Sequence, residues 1–149
     1  MAKNGFSMSN RVAVETITAD KTLTADDCGK VFVVTSAPNG ASVEIIVPDP
    51  VAAGLGWNCE LVFESGSSAA ANQDVIVSSS AGTAAGPFKV RYLTTAAASA
   101  NSGVAGAANA ITHSAGTQQT GDLIKIVNVS ASIGGYFWSV DAVTSGALS

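Results

Sequence analysis

The stretch KVFVVTS, residues 30–36, leads through Pro38-Asn39-Gly40 into SVEIIV, residues 42–47, and this passage decides the fold. Val31 through Thr35 are all β-branched or aromatic, the side chains that suit a pleated, half-buried surface. Asn39-Gly40 readily takes the left-handed backbone of a tight turn. Downstream, Pro48-Asp49-Pro50 stops the second strand, because proline cannot donate to a ladder and restricts the residue before it. VAAGLG, residues 51–56, reads as one loose helical turn or a loop. WNCELVF, residues 57–63, puts Trp57, Cys59, Leu61 and Phe63 on one face, so Cys59 is expected to point inward. Beyond a Ser/Gly/Ala loop, residues 74–78 form a short strand. PFKVRYL, residues 87–93, sets Phe88, Val90 and Tyr92 against Lys89 and Arg91.

Upstream, VAVETIT, residues 12–18, alternates as a strand does. A turn at Ala19-Asp20-Lys21 and a short extended piece, Thr22-Leu23-Thr24, lead to a second turn, in which Gly29 suits a positive φ. Residues 1–11 read as a polar, flexible arm. Near the other end, residues 122–129 and 136–143 are strands flanking a Gly134-Gly135 turn. Residues 94–119 are almost all Ala, Ser, Thr, Gly and Asn. Gly103 and Gly106 argue against a helix there, and the segment reads as a long excursion that orders against a neighbour. The expected fold is all-β: one domain over residues 12–149, a β-barrel or jelly-roll-like sandwich of about eight short antiparallel strands. No fixed repeat of about 20 to 50 residues marks a solenoid.

Charged residues make up 12% of the 149-residue chain, about half the usual share, so recognition must lean on Ser, Thr, Asn and Gly. The formal net charge is -4 and the basic residues do not cluster, which argues against a nucleic-acid partner. No apolar run is long enough for a membrane helix, and the first residues lack the apolar segment of a signal peptide, so synthesis in a cytoplasm is expected. Cys28 and Cys59 match neither a metal pair nor a CxxC motif; reduced, half-buried thiols are favoured over a disulfide.

Catalytic patterns find little support. His113 is the sole histidine, and no GxSxG elbow surrounds a serine. Cys28, Cys59 and His113 are too widely spaced to suggest a shared zinc site. Asp26 and Asp27, before Gly29, and Asp122, after Gly121, read as turn formers. Neither a calcium loop nor a phosphate-binding glycine loop occurs, and no cofactor is expected. Tyr136, Phe137 and Trp138 are consecutive, so alternate rings face opposite ways. If Phe137 faces a core, Tyr136 and Trp138 face outward, to anchor a subunit or stack a sugar; burial of both faces between two layers is the plainer reading.

Three pieces of the chain carry a resemblance. TITADKTLTADDCGKVFVV (residues 16–34), IIVPDPVAAGLGWNCELVF (45–63) and GDLIKIVNVSASIGGYFWSVDAV (121–143) resemble segments of small tailed-phage capsid decoration proteins, also called cement or head-fibre proteins. The first contains the pattern T-L-T-x-x-D-x-G-K of that group, with Cys28 where serine is expected. The resemblance implies a β-barrel or jelly-roll-like module, commonly a homotrimer, on the outer face of a virion shell, bridging capsomers of the major capsid protein without catalysis. Segments that order on neighbours are then expected at residues 1–14 and 94–119. The candidate contact residues are Phe6, Met8, Arg11, Ile111, His113, Tyr136 and Trp138. A tail-fibre or baseplate component, a carbohydrate-binding module and a small hydrolase are the alternatives.

Overall fold

The computed structural model describes residues 12–35, 41–64, 74–80, 88–94, 102–108, 110–114, 120–133, 136–145 and 148. The elements are β1 (Val14–Ile17), β2 (Lys21–Thr22), a 3-10 turn (Ala25–Asp27), β3 (Val31–Val34), β4 (Val43–Val47), α1 (Pro50–Ala53), β5 (Asn58–Phe63), β6 (Val75–Ser79), β7 (Phe88–Thr94), β8 (Ser102–Ala108), β9 (Ala110–His113), β10 (Leu123–Ile133) and β11 (Tyr136–Thr144). They form a seven-stranded sheet, β1-β3-β5-β10-β11-β7-β8, and a four-stranded sheet, β2-β4-β6-β9. The result is a small, single-domain, all-β structure with almost no helix.

The path of the chain explains its ladders. From β1 to β6 successive strands alternate between the two sheets. β1, β3 and β5 therefore lie side by side and parallel in the large sheet, and β2, β4 and β6 do so in the small one. This half is a flattened coil with two strands per turn. The later strands close it: β10 runs antiparallel against β5, β9 antiparallel against β6, and β11 joins β10 antiparallel and β7 parallel. The sheets are thus mixed rather than antiparallel throughout, because each early corner sends the chain into the opposite sheet instead of back along its own strand. The coil carries no sequence period because its turns differ in length: Val14 pairs with Val31, but Val31 pairs with Glu60.

The corner between β2 and β3 shows how the sequence makes these turns. The Thr24 N–H and hydroxyl donate to Asp27 Oδ2 at 2.8 and 3.2 Å, and Lys30 pairs with Asp27 Oδ1. Gly29 takes φ 77°, and its N–H donates to the Asn58 carbonyl at 2.7 Å, tying the corner to β5. Leu23 and Trp57 are buried beneath it, with Trp57 Nε1 donating to the Thr24 carbonyl at 3.1 Å. The T-L-T-x-x-D-x-G-K pattern thus has a structural cause in this chain.

One core lies between the sheets. Cys59, Ile126, Val140 and Val90 cross the large sheet in a single register row, and Ile45, Val77 and Ile111 cross the small one; all are buried. Trp57 meets Trp138 edge-on at 5.4 Å. Fully burying one such aliphatic side chain is worth about 1.5–3 kcal/mol. The excursion expected over residues 94–119 contains β8 and β9. Ile111 and His113 on β9 point into the core. The arm at residues 1–11 and the turns at Pro38-Asn39-Gly40 and Gly134-Gly135 lie outside the described residues.

Candidate functional site

Two buried polar clusters and three exposed features are where chemistry or binding could reside. The first cluster gathers on Asp122, which follows Gly121 at φ 94°. Asp122 Oδ1 accepts the Ser145 N–H at 3.0 Å and the Ser145 hydroxyl at 2.7 Å, while Oδ2 lies 2.8 Å from His113 Nε2. The His113 ring packs edge-on against Phe63, 4.8 Å between centroids. Burial lowers the His113 pKa from its ordinary value and outweighs the opposing pull of Asp122. Serine, histidine and aspartate therefore converge, but in an order that does not activate the serine. The carboxylate stands in the middle, and the serine hydroxyl donates to it rather than to the imidazole. All three residues are buried. Their visible work is to tie the end of β9 to the start of β10 and the end of β11.

The second cluster is Asn128 on β10. Its side-chain amide donates to the carbonyls of Pro50 at 2.7 Å and Gly54 at 2.8 Å, and its backbone exchanges bonds with Trp57 and Gly56. Asp49 caps the same short helix through the Val51 and Ala52 N–H groups. The segment carrying α1 is held firmly while Val51 and Leu55 stand 76% and 75% exposed.

A second exposed apolar feature is β1, the edge strand of the large sheet, where Val12 and Val14 are 55% and 65% exposed. The third is the outward face of the same sheet. One register row there reads Val31, Glu60, Lys125, Asp141, Arg91 across β3, β5, β10, β11 and β7. Its charges alternate, with Lys125–Glu60 at 3.4 Å and Arg91–Asp141 at 2.7 Å. The neighbouring outward row, two residues along each strand, reads Val33, Val62, Leu123, Val143, Leu93. It is apolar throughout; Val33, Val62 and Leu123 are half-buried, and Val143 and Leu93 are more exposed.

Three of the seven contact residues expected from sequence lie inside the molecule. Ile111, His113 and Trp138 are all essentially inaccessible, so they present no surface to a partner. In the aromatic run Trp138, Val140 and Ala142 face the core and Phe137 is half-buried, so the condition under which Trp138 would face outward, Phe137 taking the core position, is not met. Phe6, Met8, Arg11 and the side chain of Tyr136 lie outside the described residues. Asp27 caps the Thr24 N–H within its own turn, as expected, whereas the N–H that Asp122 accepts belongs to Ser145, 23 residues away, and Asp122 also takes the histidine. Cys28 and Cys59 are both free thiols, the first exposed and the second buried. Among the described residues no three ligating side chains stand together to hold a metal. The charged and apolar rows escaped the sequence reading because they exist only once strands distant in the chain are in register; the one local signal was Lys89 and Arg91 alternating with the core side of β7. Comparison with family models, with curated proteins and with solved structures finds no match to the chain.

Proposed function

We propose that this chain is a non-enzymatic capsid decoration module of a tailed phage, seated on the outer face of the major capsid shell and bridging capsomers. The observation that carries the reading is β1, the edge strand of the large sheet among the described residues, with Val12 and Val14 exposed. An unpaired strand edge offers a row of backbone donors and acceptors to an extended segment of another chain, and exposed valines add apolar area to that contact. The sequence resemblance at residues 16–34, 45–63 and 121–143 supplies the identity of the partner. The two-sheet body supplies the rigid scaffold of a barrel or jelly-roll kind of module, with mixed ladders replacing antiparallel ones. Burial of Trp138 weighs against the carbohydrate-binding alternative, which needs that ring exposed beside Tyr136.

Cryo-electron microscopy of the source particle, with this chain traced in the density, tests the reading. Density on the outer shell at capsomer junctions is expected, with β1 facing the major capsid protein. Density on the tail favours a fibre or baseplate role, and absence from the particle overturns the proposal. On shells stripped of this chain, Val14→Asp should rebind at least tenfold more weakly while keeping the wild-type unfolding midpoint.

A further inference from the structure

The outward face of the large sheet has a pattern that fits its own copy. We infer that this face is a self-association surface, on which two chains pack sheet to sheet about a two-fold axis running along the strands between β10 and β11. This rests on register and charge alone and is independent of the capsid reading.

Rotation about such an axis reverses the order of strands while keeping the position along them. β5 then lies over β7 of the partner copy, and β10 over β11. In the charged row, Glu60 faces the second copy's Arg91, and Lys125 faces its Asp141. The reverse contacts follow by symmetry, so every acid meets a base. The two ion pairs within each chain, Lys125–Glu60 and Arg91–Asp141, become members of four-charge groups. In the apolar row, Val62 faces Leu93 and Leu123 faces Val143, so apolar rows meet each other. On the other side of the charged row, Asn58 faces Lys89 and Val127 faces Ser139, again without like charges opposed. A row of alternating sign with four members is self-complementary when reversed, whereas a shift by one strand opposes like charges. The pattern therefore selects one register as well as one partner.

The geometry suits two sheets. Face-to-face sheets pack about 10 Å apart with strand directions within about 30°, and a two-fold along the strands produces that alignment from the twist of identical sheets. Arg91 is 65% exposed, Asp141 51% and Lys125 47%, so the charges stand proud enough to meet those of a facing sheet. Val143 on the middle strand β11 and Leu93 on the outer strand β7, 42% and 44% exposed, become the apolar anchors of the contact. A two-fold pair takes the place of the homotrimer that the sequence resemblance implies.

Sedimentation velocity of the full chain over a concentration series is the first measurement. The expected result is a concentration-dependent species of twice the 14.8 kDa chain mass. A monomer at all concentrations, or a trimer, overturns the inference. Val143→Glu changes an exposed position and should weaken the dimer at least tenfold with an unchanged circular dichroism spectrum; a dimer indifferent to it forms elsewhere and overturns the inference. The register is tested by a full charge reversal, Glu60→Lys, Lys125→Glu, Asp141→Lys and Arg91→Glu in one chain. That variant keeps both its internal pairs and its two-fold pairs, so it should dimerise with itself. Mixed with wild type it should form no heterodimer, because like charges then oppose at all four strands. Free mixing of the two chains refutes the proposed register.

Discussion

Asn128 is a polar residue in the middle of a long strand, a place where asparagine is disfavoured. Its side-chain amide supplies the donors that two carbonyls of the α1 segment need. Asn128→Ala should lower stability by about 1–3 kcal/mol, because a buried acceptor loses its partner. Asn128→Asp should cost more, since a carboxylate cannot donate to either carbonyl. Urea unfolding checks both, with a lower midpoint and an unchanged slope expected. The cysteines separate cleanly at this scale. Burial pushes the Cys59 thiol up to about 12, with the negative charge of Asp27 adding to the effect, and Cys28 is exposed. Iodoacetamide should therefore alkylate Cys28 alone in the native protein, with Cys59 reacting only after unfolding; equal rates at both would show that β5 opens readily. The inward Cys59 was legible in the sequence because Trp57, Leu61 and Phe63 fix the phase of its strand. His113 was not, since a histidine among alanines and serines gives no clue that an aspartate nine residues on will bury with it.

Strands β9, β10 and β11 are held at one end by the His113–Asp122–Ser145 cluster, and this gives the elements a pH dependence. The folded-state pKa of His113 lies below the ordinary 6.5 because burial disfavours the imidazolium. On acidification the unfolded chain takes up the proton first. Stability is therefore full above the ordinary value and falls as pH drops below it toward the folded-state pKa. Urea midpoints should fall between about pH 7.5 and 5.5, with no comparable slope in His113→Gln. An equal slope in the variant would assign the effect to other groups. Asp27 acts in a lower window. Burial raises its carboxyl, but Lys30 and the Thr24 groups outweigh that and hold it below the usual carboxylate range, so its contribution is lost only as pH falls further. Strands β5 and β7 were legible because apolar and polar residues alternate in them, and β3 because its residues are all β-branched or aromatic. β8 and β9 were not: SGVAGAA is nearly all alanine, glycine and serine, which give hydropathy patterns little amplitude, and AITH is too short to set a period. The aromatic run at 136–138 could not phase itself either; Val140 and Ala142 on the inward side decide it.

At the scale of the whole molecule, the all-β class was readable from strand composition, while the coil was not. Short turns such as Ala19-Asp20-Lys21 read equally well as hairpin loops and as corners into a second sheet. Only pairing between distant strands distinguishes the two, as where Cys59 on β5 meets Ile126 on β10. β5 is the seam of the structure: parallel to β3 of the coil on one side and antiparallel to β10 of the closing hairpin on the other. Leu61 sits on that seam, fully buried, in register with Phe32 and Ile124. Leu61→Ala should cost about 2–5 kcal/mol through lost burial and the cavity left behind. The location of the loss says more than its size. If coil and hairpin fold as one unit, the variant unfolds in a single transition at a lower midpoint. Fluorescence of Trp57, in the coil half, and Trp138, in the closing hairpin, would then move together with far-ultraviolet circular dichroism. The edge-on contact of those two indoles, which flank the buried Asn128 of β10 (in register with Trp138 and bonded through its N–H to the Trp57 carbonyl), makes that coupling the expected outcome. Two resolved transitions, with the Trp138 signal lost first, would instead make β10 and β11 a separable cap on a self-sufficient coil.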